Sequence, residues 1–425
     1  MTRFNLMLAA WLIAPCAFAA PLSFDTYLSA VETHSLELKA QNESIGSAKA
    51  GIGIAGLRPD PELTLGATRE TVRSAGHRPV TWNPAISMAI ETGGKRAARL
   101  KAARSNVTVA EETVAGFRSE LYATAAAAYT EACRTREVLV RKEHTLAALS
   151  KVVEANVVRR KAGDVGGIEL LQSRVERDQF QAELAQARSE AQGAMLELSP
   201  PLGSQLDALF PEAQLACDFT AFAGGDTGTL VPQALRERSD VRIARATLDN
   251  LRDGAVLVRA NRSVDPTVTL GLAAVRGYHD GIDAHGEPVE GSPRSRALSI
   301  SLAIPIPLSR RDKGDVVQAE AGVTQAMLAL RQAELKAETD VRAAQLHLRT
   351  AQERLARYRD GVLLDAQKVV DGMRLSYVKG NASLLEWLAA QRSADEAYQG
   401  YLQARADAAI ASTQLQLAIG QRPRL

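Results

Sequence analysis

The chain is short of the residues that usually fill globular cores. Aromatics make up 4% of its 425 residues, and much of the 46% that is hydrophobic is alanine. Large apolar side chains are too sparse for the two or three conventional cores that a chain of this length ordinarily contains. Its helices must therefore cover their apolar faces mostly against one another. Proline is missing from residues 85–199 and again from residues 308–422, so helical backbone can run through both windows without the lost hydrogen bond and clash of an internal proline. Charge of one sign is lacking too. The 51 basic and 49 acidic side chains leave a formal net charge of +2, with the signs interspersed, and nucleic acid finds no basic face to bind. Beyond the first residues no run of 18 apolar positions occurs, which excludes a transmembrane helix. There is no nucleophile–base pairing, phosphate loop or cluster of metal ligands at fixed spacing; the expectation is a protein without catalysis and without a cofactor.

Cysteine is scarce as well: Cys16, Cys133 and Cys217. The first lies in a segment with a basic start at Arg3, an apolar run from Leu6 to Ala14 and a small-x-small Ala17-Phe18-Ala19. That pattern predicts a signal peptide over residues 1–19 and export. The apolar run is too short for a membrane anchor, and Pro15 beside Cys16 is a poor context for lipid attachment. In an oxidising compartment Cys133, in a long helix, and Cys217, in a linker, can pair and pin the linker to the helices, or can remain two separate buried thiols.

What is present is a duplication. Lys161-Ala162-Gly163-Asp164-Val165-Gly166-Gly167-Ile168-Glu169-Leu170-Leu171 returns as Val378-Lys379-Gly380-Asn381-Ala382-Ser383-Leu384-Leu385-Glu386-Trp387-Leu388, offset by 217. Asp60-Pro61-Glu62-Leu63-Thr64-Leu65-Gly66 returns as Asp265-Pro266-Thr267-Val268-Thr269-Leu270-Gly271, and Ser87-Met88-Ala89-Ile90 as Ser301-Leu302-Ala303-Ile304. So long a period reads as a duplicated half-molecule. The first repeat spans residues 20–216, with a helix over 24–57, strands at about 60–72 and 82–92, and a helical hairpin whose tip lies near 163. A linker at 217–230 leads to the second repeat, 231–425, with a helix, strands at about 265–276 and 297–308, and a second long helix reaching about Lys379 before a tip near 380. A continuous helix over 95–161 would be roughly 100 Å long at 1.5 Å per residue and needs partner helices along its length.

The loop between the last two strands carries His279, Asp280, Asp283 and His285, with Glu287 and Glu290. Imidazole and carboxylate suit zinc or cobalt, yet the spacing matches no fixed site, so a solvated loop is expected. Each strand alternates apolar with small polar residues over about ten positions, the length and pattern of a tilted membrane strand. Four strands are too few to close a barrel, and lipid tolerates no open edge. Several chains would have to pool their strands; the alternative is two soluble hairpins on a coiled-coil protein.

The duplicated tips, above all Tyr377-Val378-Lys379-Gly380-Asn381-Ala382-Ser383-Leu384-Leu385-Glu386, resemble those of TolC-type outer-membrane efflux factors. Glu91-Thr92-Gly93-Gly94-Lys95-Arg96-Ala97-Ala98-Arg99 and Ile304-Pro305-Ile306-Pro307-Leu308-Ser309-Arg310-Arg311 resemble the strand-to-helix junctions of the branch serving cobalt-zinc-cadmium efflux. The resemblance implies a mainly α fold with a small β part. Its helical hairpins would form a periplasmic α-barrel, and the four strands of each chain would contribute to a trimeric, twelve-stranded outer-membrane barrel. It implies a homotrimer in outer-membrane lipid, coupled through a periplasmic adaptor to an inner-membrane RND pump, passing metal ions. Glu386, and more weakly Glu169, would line a periplasmic gate where crowded carboxylates raise each other's pKa, although Ser383-x-x-Glu386 is equally a helix capping box. Gly163, Asp164, Val165, Gly380, Asn381 and Ala382 would form exposed tips that dock the adaptor. The competing expectations are a channel of the same fold exporting drugs, and a non-transporting envelope coiled-coil or adaptor protein.

Overall fold

A computed structural model describes residues 21–69, 80–219, 222, 224–277, 280–282, 286–289, 294–308 and 313–425. The expected signal peptide with Cys16, the loop residues His279, Asp283, His285 and Glu290, and Ser309, Arg310 and Arg311 lie outside the described residues.

Helix α1 (Phe24–His34) buries Phe24, Tyr27, Leu28 and Val31, the i, i+3, i+4, i+7 positions of one face. Ser23 caps it, its Oγ accepting from Thr26 N at 3.2 Å. The sequence predicts one helix here, yet the chain breaks at buried Ser35, whose backbone takes φ −48°, ψ 120°. The Ser35 hydroxyl accepts from Leu38 N at 3.3 Å and so starts α2 (Leu36–Gly56). The last carbonyls of that helix are taken up by arginines: Arg96 Nε donates to Gly56 O at 2.7 Å and Arg99 Nη2 to Leu57 O at 2.9 Å.

Strands β1 (Glu62–Arg69) and β2 (Val80–Ala89) lead to α3 (Lys95–Ala162), an uninterrupted helix of 68 residues, and to the return helix α4 (Gly167–Leu196). Two single turns follow, α5 (Ser199–Leu202) and α6 (Leu206–Leu209), then α7 (Thr227–Glu237) and α8 (Ser239–Asn261). The linker is thus partly helical from Thr227. Strand β3 (Thr267–Val275), the two-residue strands β4 (Gly281–Ile282) and β5 (Pro288–Val289), and β6 (Ser295–Ala303) complete the β structure. Apolar alternation continues through Ile304, Ile306 and Leu308, but Pro305 and Pro307 offer no ladder donors and β6 stops short of the expected residue 308.

The second long helix is also interrupted. α9 (Gly314–Arg357) passes through one π-helical turn, Tyr358–Val362, into α10 (Leu363–Val378), and α11 (Leu384–Ala418) returns. The Tyr358 ring occupies the space where Gly400 of α11 lacks a side chain; a Cβ there would lie 2.7 Å from Tyr358 Cε1. The widened turn fits an aromatic ring against α11 at that helix's one glycine.

Two compact units share the chain, and each takes segments from both repeats. The unit of residues 1–39, 118–234 and 340–425 is packed on small side chains, including buried Ala125, Ala126 and Ala132 of α3 and Ala404, Ala408 and Ala411 of α11. Such residues let helices approach closely, which is how a chain this poor in aromatics fills its interior. Phe24, Tyr27 and Tyr129 sit together: Tyr27 donates to Leu198 O at 2.9 Å, and the Tyr129 hydroxyl lies 2.7 Å from both Leu22 O and Ala216 O. Burial pushes the Tyr129 phenol up to about 12, so it stays a donor. Beside it Cys133 and Cys217 are joined by a disulfide, which ties the inter-repeat segment to α3.

The unit of residues 40–117 and 235–339 carries the sheet, in the order β1-β2-β3-β6 with every neighbour antiparallel. The β2–β3 ladder joins the two repeats. Its register aligns Leu63, Ile86, Leu270 and Ile300 across all four strands, and Leu65 and Pro84, with Leu272 and Leu298, in the next rank. Thr64, Ala85, Gly271 and Ser299 fall on the opposite face. The apolar face is bare: Leu65 and Ile300 are each 75% exposed.

Candidate functional site

The duplicated phrases fold as the two hairpin tips expected of them, and both belong to the first compact unit. Each helix ends on a glycine with positive φ, 86° at Gly163 and 77° at Gly380, a conformation that a Cβ would strain. The closing hydrogen bonds correspond: Asp164 N donates to Arg159 O at 2.9 Å and Asn381 N to Ser376 O at 2.8 Å. Gly163, Asp164, Gly380 and Asn381 are exposed and Ala382 is half-buried. Val165 departs from the expected exposed tip. It is buried, the one apolar side chain among small and polar turn residues.

Glu169 and Glu386 occupy equivalent places in the repeats, and the structure uses them differently. Ser383 Oγ accepts from Glu386 N at 3.3 Å, while Glu386 Oε2 accepts from Ser383 N at 2.7 Å, a complete capping box. The Ser383 backbone N–H, then its hydroxyl, hold the exposed Glu386 carboxyl below the usual carboxylate range. Within one chain the shift is thus downward, opposite to what a crowded carboxylate ring would add. At the first tip the equivalent cap position is Gly166, which has no side chain to offer. Glu169 instead reaches the other hairpin, its Oε1 lying 2.7 Å from the Tyr377 hydroxyl.

That hydroxyl is the centre of a cluster that the sequence did not announce. It lies 2.9 Å from Asn156 Oδ1 and accepts from Arg159 Nη1 at 3.1 Å. A phenol has one proton. Given to the Glu169 carboxylate, it leaves the oxygen to accept from Arg159 and, after a half-turn of the amide, from buried Asn156. Burial, then the Glu169 carboxylate, raise the Tyr377 pKa and keep that proton in place. Trp387 stacks on the Tyr377 ring at 5.5 Å, and Leu149, Val152, Phe180, Leu384 and Leu388 close the cluster. Farther along, Arg392 binds Glu176 through two contacts of 2.6 Å, and Arg141 Nε and Thr145 Oγ1 donate to buried Asp395 at 2.8 and 3.0 Å. Glu169, Leu384, Trp387 and Leu388 stand in the repeated phrases and Tyr377 directly precedes the second, but nothing in their pattern shows what they touch.

Tyr377→Phe is expected to lower stability by about 1–3 kcal/mol, because it strips buried Asn156 and the Arg159–Glu169 link of their shared oxygen. The urea midpoint measures it; an unchanged midpoint would show that the cluster contributes nothing.

Among the described residues no group of three or more histidine, cysteine and acidic side chains is placed to hold a metal. Of the four loop candidates only Asp280 is described. Among the described residues no helix is long and apolar enough to cross a membrane.

The sequence profile of the family described as outer membrane efflux protein matches residues 27–204 and again residues 230–421. The chain is 25% identical over 392 residues to the cobalt-zinc-cadmium resistance protein CzcC of Cupriavidus metallidurans, covering 92% of this chain and 88% of that one. In fold it is similar to a membrane protein of Pseudomonas aeruginosa, with a TM-score of 0.76, 19% identity and coverage of 94% and 91%. It is likewise similar to the CmeC outer membrane channel of Campylobacter jejuni, with a TM-score of 0.74, 14% identity and coverage of 99% and 94%. With one family match on each repeat and a TolC-like arrangement of helical hairpins and a four-stranded sheet, the chain belongs to the outer membrane efflux protein family.

Proposed function

We propose that this protein is the outer-membrane channel of a tripartite RND efflux system and that its cargo is divalent heavy-metal cations such as cobalt, zinc or cadmium. The sheet carries the channel reading. Its apolar face is exposed, and its two edges, β1 and β6, have no partner among the described residues. In lipid such edges must be closed. β1 and β6 run in opposite directions, so β6 of one copy can continue the antiparallel order on β1 of the next, and three copies would supply twelve strands. The helices would extend into the periplasm, and the tips, with Gly163, Asp164, Gly380 and Asn381 exposed and Ala382 half-buried, would meet the adaptor. The likeness to the cobalt-zinc-cadmium resistance protein over most of both chains supports the cargo. The energy would come from the pump, and this chain would be a passive conduit rather than an enzyme.

At the tips, Glu386 would present its carboxylate to the pore, and Glu169 would act through Tyr377 by holding one hairpin to the other. Glu386→Gln is expected to reduce cation preference in planar-bilayer conductance and to flatten its pH dependence. If both stay as in the wild type, Glu386 is a helix cap alone. A deletion strain grown across graded zinc, cobalt, cadmium, nickel, copper and amphiphilic drugs tests the cargo. The expected result is sensitivity to one or a few metals, restored by the intact gene. Sensitivity to drugs alone would keep the channel and overturn the metal assignment, and a soluble, non-conducting protein would overturn the channel itself.

A further inference from the structure

Among the described residues, the apolar face of the sheet changes character at one end only. At the end where the strands join the helices, the face is Met88, Val268 and Leu302, and the ranks above are apolar on every strand. At the loop end the register aligns Ala67, Trp82, Ala274 and Arg296, and beyond them Arg69 faces Val80. Strand alternation therefore places Arg69 and Arg296 on the face that carries leucine and isoleucine elsewhere. Arg276 and Arg294 directly flank the last pair of the β3–β6 ladder, Val275 with Ser295. All four arginines are exposed, and among the described residues none of them has a carboxylate partner. The four long strands contain one acidic residue, Glu62, at the helix end and on the opposite face.

On a lipid-facing strand an arginine is strongly disfavoured at the bilayer midplane and nearly tolerated at the interface. Arginines confined to the outermost ranks thus mark where the acyl chains end. Trp82, in the same rank as Arg296, suits the same level. Guanidinium groups without carboxylate partners offer paired donors that match phosphate. Among the described residues no arginine stands in the ranks at the helix end of the face, so the ligand is assigned to the leaflet at the loop end. If the helices are periplasmic, the loop end lies in the outer leaflet, and closing β6 of one copy on β1 of the next brings Arg296 and Arg69 to the same seam.

We propose that Arg69, Arg276, Arg294 and Arg296 form a binding site for the phosphates of the outer-leaflet glycolipid, lipid A. The inference rests on the outer-membrane reading above. The test is titration of the purified full-length protein in detergent with bis-phosphorylated lipid A, its dephosphorylated form and phosphatidylglycerol, followed by native mass spectrometry. Wild type is expected to retain the bis-phosphorylated form at least about tenfold better than the dephosphorylated one. R69Q/R276Q/R294Q/R296Q should lose that preference, and R331Q, on an exposed helix, should keep it. Should the quadruple variant fail to fold by circular dichroism, R69Q/R296Q and R276Q/R294Q replace it. A preference surviving in the variants, or equal retention of the dephosphorylated lipid, overturns the site. Equal retention of phosphatidylglycerol overturns the assignment to the glycolipid. Conductance of the same preparations separates the two readings: a wild type that conducts without preferring lipid A overturns only this inference, and one that does not conduct overturns the channel.

Discussion

Asp265→Ala is expected to destabilise the protein by about 3–5 kcal/mol, the usual consequence of leaving a buried charge uncompensated. The stranded partner is Lys95, only 8% exposed, whose Nζ lies 2.5 Å from Asp265 Oδ2. Asp265 Oδ1 also accepts from Thr92 N at 2.8 Å, and Ile90 N donates to Pro266 O at 2.8 Å. The carboxylate therefore stitches the end of β2 and the start of α3 to the approach to β3, where the two repeats meet. Burial pushes its pKa up, but the hydrogen bonds from Lys95 and Thr92 outweigh burial and the net shift is downward. A carboxyl whose folded pKa is depressed contributes stability above its unfolded pKa of about 3.9, and the contribution fades as pH falls through the lower folded value. Urea midpoints of wild type and Asp265→Asn should accordingly differ by a constant amount from pH 7 to 5 and converge below about pH 4. A difference independent of pH would show that the carboxylate charge is not what stabilises the junction.

Loss of the Cys133–Cys217 disulfide has an expected effect of similar size. The bond closes a loop with a sequence separation of 84, for which the chain-entropy argument gives about 4.6 kcal/mol. The urea midpoint should fall on reduction and fall equally in the C133S/C217S variant, which reductant should leave unmoved. Coincident midpoints for the oxidised and reduced wild type would contradict the argument. The segment that carries Cys217 keeps other attachments: Arg136 Nη1 donates to Leu215 O at 2.8 Å, and Leu22 pairs with Leu215 in a parallel bridge. Reduction should therefore loosen this segment before it frees it, with faster proteolysis near residues 218–226 as a second reading.

The features legible in the sequence are those encoded locally. The two-residue alternation of Leu63, Leu65, Ile86 and Met88 is a strand because its neighbours are small and polar. Gly163 and Gly380 mark turns because a positive φ is needed there, and Ser383 with Glu386 spells a cap. Interruptions set by distant residues could not be read. The break at Ser35 follows from its burial. The π-helical turn at Tyr358 depends on Gly400, and Glu169 finds Tyr377 across 208 positions of sequence. The equivalence of Glu169 and Glu386 was visible, but their divergence depends on whether residue 166 or 383 has a hydroxyl and on what stands opposite. Val165, read as exposed, was misjudged because a tip turn gives no sign of which side chain folds under it.

The β2–β3 ladder also dictates an order of events for a chain that emerges from its amino terminus. Met88 pairs with Val268 and Ile86 with Leu270, so the central ladder must wait until both long helices of the first repeat, and α7 and α8 after them, have left the translocation machinery. Closing so long a loop is slow compared with forming the local helical hairpin of α3 and α4. In that interval β1 and β2 stand as a two-stranded hairpin with a bare apolar face, the kind of segment that aggregates when exposed. The β2–β3 ladder is thus secured well after the first helical hairpin, and the first β-hairpin is expected to keep its apolar face bare until residue 275 has arrived.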